Sequence, residues 1–230
     1  MKALMERVYR ANMELWKQGL VIYTWGNVSE VDRGAGLVAI KPSGVPYDEL
    51  KQEDIVVLEL ASGRQVAGEL RPSSDTPTHL ALYRAFDTVG GITHTHSRHA
   101  TAWAQAGVSL PCYGTTHADY FYQEVPCTRG MTEEEIGGAY EAETGTVIIE
   151  AFAGRDPMAT PAVLVKNHGP FTWGRDGLHS VENAVVLEEV VAMAELTRSI
   201  HPGAENASKS LMDKHFFRKH GKGAYYGQKK

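Results

Sequence analysis

The chain has 230 residues, a formal net charge of −5 at neutral pH and 2 cysteines. That length supports one domain with a proper core, with two small domains as the alternative, and the scattered charges exclude a broad basic surface for nucleic acid. Cys112 and Cys127 make no disulfide framework, the start at Met1 carries no signal-like apolar stretch, and no run is long enough to cross a bilayer, so the expectation is a cytoplasmic, non-membrane protein with 1–230 as one domain.

Leu4, Val8, Ala11, Leu15 and Leu20 recur at helical spacing and predict an amphipathic helix over 3–19, closed near Gly19. Short segments rich in β-branched residues follow at Leu20–Thr24, Gly36–Ile40, Asp54–Leu60 and Arg64–Gly68, separated by turn residues that suit hairpins. Ser73-Ser74-Asp75-Thr76-Pro77 offers hydroxyl or carboxylate caps and a first-turn proline, which predicts a helix through Phe86. A strand follows over Gly91–His96. Helices are expected over Arg98–Ala106 and from Thr132, where Thr132 and Glu135 have capping-box spacing. Val147–Phe152 fits either helix or strand. Ala162–Val165 reads as a buried strand stopped by Lys166-Asn167-His168-Gly169-Pro170, and Val181–Ile200 as a long amphipathic helix. Interleaved strands and helices with early hairpins make this an α/β sandwich with a mixed, largely antiparallel sheet.

His94-Thr95-His96 is the most informative stretch, because two histidines two positions apart on a strand aim both imidazoles at one face. Neutral imidazole is the commonest metal ligand, and such a pair can hold zinc while leaving positions open for substrate. A solvent-facing pair is the competing reading. His168, delivered by a buried strand, is preferred over His117 as a third ligand, and Asp75 competes with His79 for a fourth place. Thr24-Trp25-Gly26-Asn27, Lys41-Pro42-Ser43-Gly44 and Ser73-Ser74 are polar loops whose free N–H groups could cradle an anion, and Lys41 adds a point charge. A basic cluster, Lys214, Arg218, Lys219, Lys222, Lys229 and Lys230, is either a solvated tail or a source of positive charge for an anionic substrate.

Taken in order, those loops, His94-Thr95-His96, Thr115-Thr116-His117-Ala118-Asp119-Tyr120, Asn167-His168-Gly169-Pro170-Phe171 and Ala224-Tyr225-Tyr226-Gly227 resemble the L-ribulose-5-phosphate 4-epimerase family, essentially end to end. That family is part of the class II aldolase/epimerase superfamily. The resemblance implies a three-layer α/β/α sandwich, a divalent metal of the zinc type and a homotetramer with active sites at subunit interfaces. It further implies that Asp75, His94, His96 and His168 surround the metal, and that Asn27, Lys41, Ser43, Gly44, Ser73 and Ser74 hold a sugar phosphate. Asp119 and Tyr226, from the neighbouring subunit, would be the acid/base pair, with Thr115 and His215 in support.

The chemistry the resemblance implies is consistent with these groups. C4 of a 2-ketopentose 5-phosphate is β to the carbonyl and its hydrogen is not acidic, so inversion requires breaking and re-forming the C3–C4 bond. A Lewis acid stabilises the resulting enediolate by several kcal/mol, and two proton-transfer groups serve the two faces of the aldehyde. A class II aldolase is the nearest rival, although its relatives carry glutamate where this chain has Asp75. A catalytically silent module such as the adducin head is a second rival, expected to lack the metal histidines.

Overall fold

A computed structural model of the chain describes residues 1–221 and 223–226; Lys222, Gly227, Lys229 and Lys230 lie outside the described residues. The elements in chain order are α1 (Lys2–Lys17), β1 (Asn27–Asp32), β2 (Leu37–Ile40), a 3-10 turn (Gln52–Asp54), β3 (Val56–Glu59), β4 (Gln65–Ala67), α2 (Thr76–Ala85), β5 (Gly91–His94), α3 (Arg98–Ala106), α4 (Thr115–Ala118), α5 (Glu133–Gly137), α6 (Tyr140–Ala151), β6 (Ala162–Val165), β7 (Gly169–Gly174), α7 (Gly177–Ile200) and α8 (Lys209–Lys219). Among the described residues no helix is long and apolar enough to cross a membrane.

The strands form one 7-stranded sheet in the order β4-β3-β2-β1-β5-β7-β6. Every strand pairing in it is antiparallel, and an isolated bridge between Cys127 and Leu164 is parallel. Side chains alternate across the sheet and so feed two apolar layers. Val31, Val38, Ile92, Val163, Val165, Phe171 and Trp173 point towards α2 and α6, where they meet Leu82, Tyr83, Phe86, Ile148 and Phe152. Val28, Ala39, Val57, Ala162 and Leu164 point to the opposite face, covered by α1, α3 and α7. Helices on both faces of the sheet make the expected α/β/α sandwich. Trp173 is fully buried and its indole N–H donates to Pro157 O at 2.7 Å. Truncating such a side chain to alanine typically costs about 3–5 kcal/mol.

Several local expectations are corrected. Leu20–Thr24 is a turn segment, not a strand: Gly19 and Tyr23 sit at φ 72 and 54, and Trp25 N closes a turn on Ile22 O at 3.0 Å. Pairing resumes only at Asn27, so β1 starts later than expected. The His-x-His strand stops at His94, because the chain peels away after Thr95 to let Ser97 start α3, whose first amides donate to the Glu188 carboxylate at 2.8 and 2.9 Å. Val147–Phe152 resolves as helix, the last part of α6 and its C-cap. The expected capping box at Thr132 is present, with Glu135 N donating to Thr132 Oγ1.

Two tethers fix β1, the central strand, whose first residue borders the site. Asn12, fully buried on α1, accepts from Val28 N at 2.9 Å and donates to Val8 O and Val28 O, which locks α1 to the beginning of β1. Glu30 on β1 pairs with Arg7 and accepts from Gly177 N, the first amide of α7. A carboxylate at a helix N-terminus satisfies an orphan donor and the helix dipole together.

Candidate metal centre and substrate cleft

Asn27, His94 and Phe171 occupy one register row across β1, β5 and β7. All three side chains face α2, so the row lies beside Asp75 at the start of that helix. Phe171 stacks under His94 at 4.2 Å between ring centres, 18° from parallel. His94 Nδ1–H donates to Pro170 O at 2.9 Å, which fixes the tautomer and leaves Nε2 with a free lone pair. His96, just beyond the strand, brings its Nε2 to 3.1 Å from His94 Nε2. His168 arrives from the β6–β7 hairpin, where Asn167 takes the left-handed conformation at φ 62 that asparagine tolerates. Gly169 permits the approach, since a Cβ there would stand 2.8 Å from Thr95 O.

The ligating atoms of His94, His96 and His168 lie within 4.8 Å of one another, and Asp75 Oδ2 is 4.0 Å from His94 Nε2. Two nitrogens sharing a tetrahedral zinc at about 2.0–2.1 Å stand about 3.3 Å apart. The separation of the His94 and His96 nitrogens, 3.1 Å, is close to the one a shared cation would set. His168 Nδ1 and Asn27 Oδ1 are also buried without a partner, a deficit that an occupant of the cleft would relieve. Burial, reinforced by the neighbouring imidazoles, pushes His96 down to about 4 and His168 down to about 3, which keeps both neutral and fit to ligate. Burial acts to raise the Asp75 carboxyl, but His94, His79, the hydrogen bond from Asn27 and His168 together outweigh it and hold Asp75 below the ordinary carboxylate range. The donor set of imidazoles and one carboxylate suits a divalent metal such as zinc.

Asp75 is the N-cap of α2 by position, yet its side chain makes no capping hydrogen bond. It accepts instead from Asn27 Nδ2 at 2.6 Å, and the same amide donates to Ser73 Oγ at 3.1 Å. His79, the alternative from this helix, is fully buried one turn further on; its Nδ1 meets Ser29 Oγ at 2.7 Å, and Ser29 meets the Tyr83 hydroxyl at 2.8 Å. It is outside the triad. His117 is outside it too, with Nε2–H donating to Gln123 O at 2.6 Å.

The triad forms one side of a cleft of about 610 Å³. Ser43 and Gly44 border it from one loop, Ser73 and Ser74 from a second, and Thr24, Trp25, Gly26 and Asn27 from a third. The first two loops are zipped together: Ser43 N donates to Arg71 O at 2.9 Å, Ser73 N to Lys41 O at 3.1 Å, and Pro42 bridges Pro72. The third is pressed onto the end of β5 at Gly26, where φ is 75 and a Cβ would stand 2.7 Å from His94 O. Lys41 differs from expectation. It is not among the lining residues; its ammonium is buried beneath the Ser43–Gly44 loop, donates to Val45 O at 2.6 Å and lies 4.7 Å from the centre of the Tyr47 ring. Burial lowers its pKa to about 8.

Asp119, Tyr226, Thr115 and His215 do not line this cleft. Asp119 caps the end of α4 and faces α8, where it accepts from His215 Nδ1 at 3.0 Å and from Arg218 at 2.8 and 3.1 Å, with Lys219 Nζ at 3.4 Å. Burial acts to raise this carboxyl, but the hydrogen bonds and charges of Arg218, His215 and Lys219 win and keep it ionised. The Tyr226 ring lies over Arg218 and Lys219 at 4.7 and 4.9 Å, and its amide donates to Arg218 O. Within one chain the site residues thus fall into two groups, a metal cleft and an α4–α8 corner. Thr115 is the first residue of α4, on the corner's side. Tyr140 and Glu141, at the start of α6, line the cleft and had no signal in the sequence beyond an acidic first turn.

A model of the class II aldolase and adducin N-terminal domain family matches residues 6–194. Among solved structures the chain is similar to an L-fuculose 1-phosphate aldolase, with 25% identity and a TM-score of 0.79 over 95% of this chain and 96% of that one. An L-fuculose-1-phosphate aldolase from Thermus thermophilus gives 24% identity and a TM-score of 0.67 over 89% of this chain and 100% of that one. YgbL from Escherichia coli gives 21% and 0.70 over 93% and 97%; these last two speak to the fold alone. With the match spanning most of the sequence, the chain belongs to the class II aldolase and adducin N-terminal domain family.

Proposed function

We propose that this chain is a metal-dependent sugar-phosphate epimerase that interconverts L-ribulose 5-phosphate and D-xylulose 5-phosphate by breaking and re-forming the C3–C4 bond. The observation that carries the reading is the placement of the His94–His96–His168 triad and Asp75 in the same cleft as the paired Ser43–Gly44 and Ser73–Ser74 loops. His94, His96, His168 and Asp75 would hold a divalent metal, zinc foremost, which supplies Lewis acidity toward the charge that develops on the ketone fragment. The two serine loops take the 5-phosphate, Asn27 orienting Ser73 beside it, with Lys41 adding positive potential from beneath. Anchoring that end keeps the aldehyde fragment in place while it presents its other face.

Two proton carriers are required. One takes the C4 hydroxyl proton as the C3–C4 electron pair passes to the ketone fragment, and the other returns a proton to the new C4 oxygen when the bond re-forms. Asp119 and Tyr226 fill these roles from a neighbouring subunit of a homotetramer, because neither borders the cleft of its own chain. His215 and Arg218 orient Asp119, Arg218 and Lys219 hold the Tyr226 ring at the same corner, and Thr115 supports it. The likeness to an L-fuculose 1-phosphate aldolase supports a second reading, cleavage with release of fragments. Asp75 weighs against it, since its short carboxylate is tied to Asn27 beside the triad and is not free to carry protons.

The test is a coupled assay for D-xylulose 5-phosphate formed from L-ribulose 5-phosphate, on metal-loaded and chelator-treated protein side by side. Turnover that chelator abolishes and zinc restores is expected. Release of aldehyde fragments without D-xylulose 5-phosphate would move the assignment to an aldolase, and inactivity of folded, metal-loaded oligomer would overturn both.

A further inference from the structure

The cleft has a wall that neither the metal nor the phosphate uses. It is the start of α6, held against α2 by two close contacts. Thr78 Oγ1 donates to Glu141 O at 2.5 Å, and Gly145 lets the helices approach so closely that a Cβ there would stand 2.7 Å from Ala81 Cβ. Because Asp75 is the N-cap of α2, this packing fixes Tyr140 relative to the metal centre. The half-buried Tyr140 ring lines the cleft 6.1 Å from the His168 ring, on the triad side. A phenol hydroxyl can donate a hydrogen bond as well as accept one.

A ketose 5-phosphate with its phosphate in the serine loops and its C2 and C3 oxygens at the triad has one polar end left, the C1 hydroxymethyl group. Among the described lining residues, the polar side chains not yet assigned are Thr24 and Trp25, next to Asn27 in the phosphate-side loop, and Tyr140 and Glu141. We propose that Tyr140 is a specificity-determining residue whose hydroxyl hydrogen-bonds the C1 hydroxyl of the ketose and selects 1-hydroxy over 1-deoxy substrates. The assignment rests on the reading of the cleft as a ketose phosphate site. A neutral hydrogen bond of this kind separates the two classes by roughly threefold to tenfold.

The experiment is calorimetric binding of D-xylulose 5-phosphate and 1-deoxy-D-xylulose 5-phosphate to the zinc-loaded full chain, for the wild type and for Tyr140→Phe. Phenylalanine keeps the ring beside His168 and removes only the hydroxyl, and zinc content measured on the same samples confirms an intact centre. The wild type is expected to prefer the 1-hydroxy compound by roughly threefold to tenfold and the variant to bind both alike. A wild type without preference, or a variant that retains it, overturns this inference and leaves the ketose phosphate reading standing. Binding of neither compound to the wild type overturns both.

Discussion

His96→Asn removes a proposed metal ligand and Asp119→Asn the proposed proton carrier, and in one chain these residues belong to different surfaces. Each homogeneous variant should lose turnover by about 10²-fold or more. In a ring where each cleft is closed by the α4–α8 corner of the next subunit, equal and random mixing places half of all clefts on Asp119→Asn chains, and half of those next to a His96→Asn chain. About a quarter of all sites then regain both groups. Asp119→Asn leaves Arg218 and Lys219 without their carboxylate, but both retain solvent, at 23% and 19% side-chain exposure, so the variant should still fold. The assay is turnover of co-expressed subunits whose mixing is verified by mass spectrometry. Recovery near a quarter of wild-type activity supports sites shared between subunits. Activity no higher than the parents, in oligomers shown to be mixed, would refute the assignment of Asp119 to a neighbouring cleft.

Two further expectations follow from buried groups. His117 is 4% exposed and burial pushes it from 6.5 down to about 4, with a hydrogen bond to Gln123 opposing only in part. The unfolded chain therefore takes up this proton first as pH falls. The stability tied to neutral His117 is complete above pH 6.5 and is lost on descent to about 4, by about 3 kcal/mol. Urea unfolding at about pH 7 and about pH 5 should show His117→Gln losing less stability than the wild type, and equal losses would contradict the burial argument. Gly26→Ala places a Cβ 2.7 Å from His94 O at a φ of 75, which should cost about 2–3 kcal/mol and lower metal occupancy, read as a fall in Tm together with reduced zinc content. An unchanged Tm would mean that the 24–27 loop yields without moving β5.

The helices that carry a regular apolar stripe, α1, α3 and α7, were legible from spacing, as was β6, an uninterrupted apolar run. β1 was not, for a physical reason. Its sequence Asn-Val-Ser-Glu-Val-Asp has polar residues on both faces, and the buried ones each hold a neighbouring element in place. Asn27 holds Asp75, Ser29 holds His79, and Glu30 holds the start of α7. β7 was hidden by Pro170 and its flanking glycines, which read as a turn although Pro170 pairs with Leu164 in the sheet. At the site, the histidine spacing pointed to the His94–His96 pair, with a solvent-facing pair as its rival; His168 was preferred over His117 because a buried strand delivers it, and the full ligand set came with the family resemblance. Tyr140 and Glu141 escaped notice because their place in the cleft depends on how α6 packs on α2, which no local pattern encodes. Lys41 was expected at the phosphate from its loop, its charge and the family resemblance, whereas Tyr47 and the Val45 carbonyl hold its ammonium under the loop.

The uncapped start of α2 sets two selective demands against each other. Aspartate is among the better residues for closing a helix, and turning its carboxylate onto the free amides would return about 1 kcal/mol to the folded state. Here the carboxylate faces the opposite way, held by Asn27. A library selected for heat tolerance alone should therefore enrich Asn27 replacements that release Asp75 to cap its helix, and those survivors should bind metal poorly. Selection that also demands turnover should keep both residues, so the helix would remain less stable than its own sequence permits.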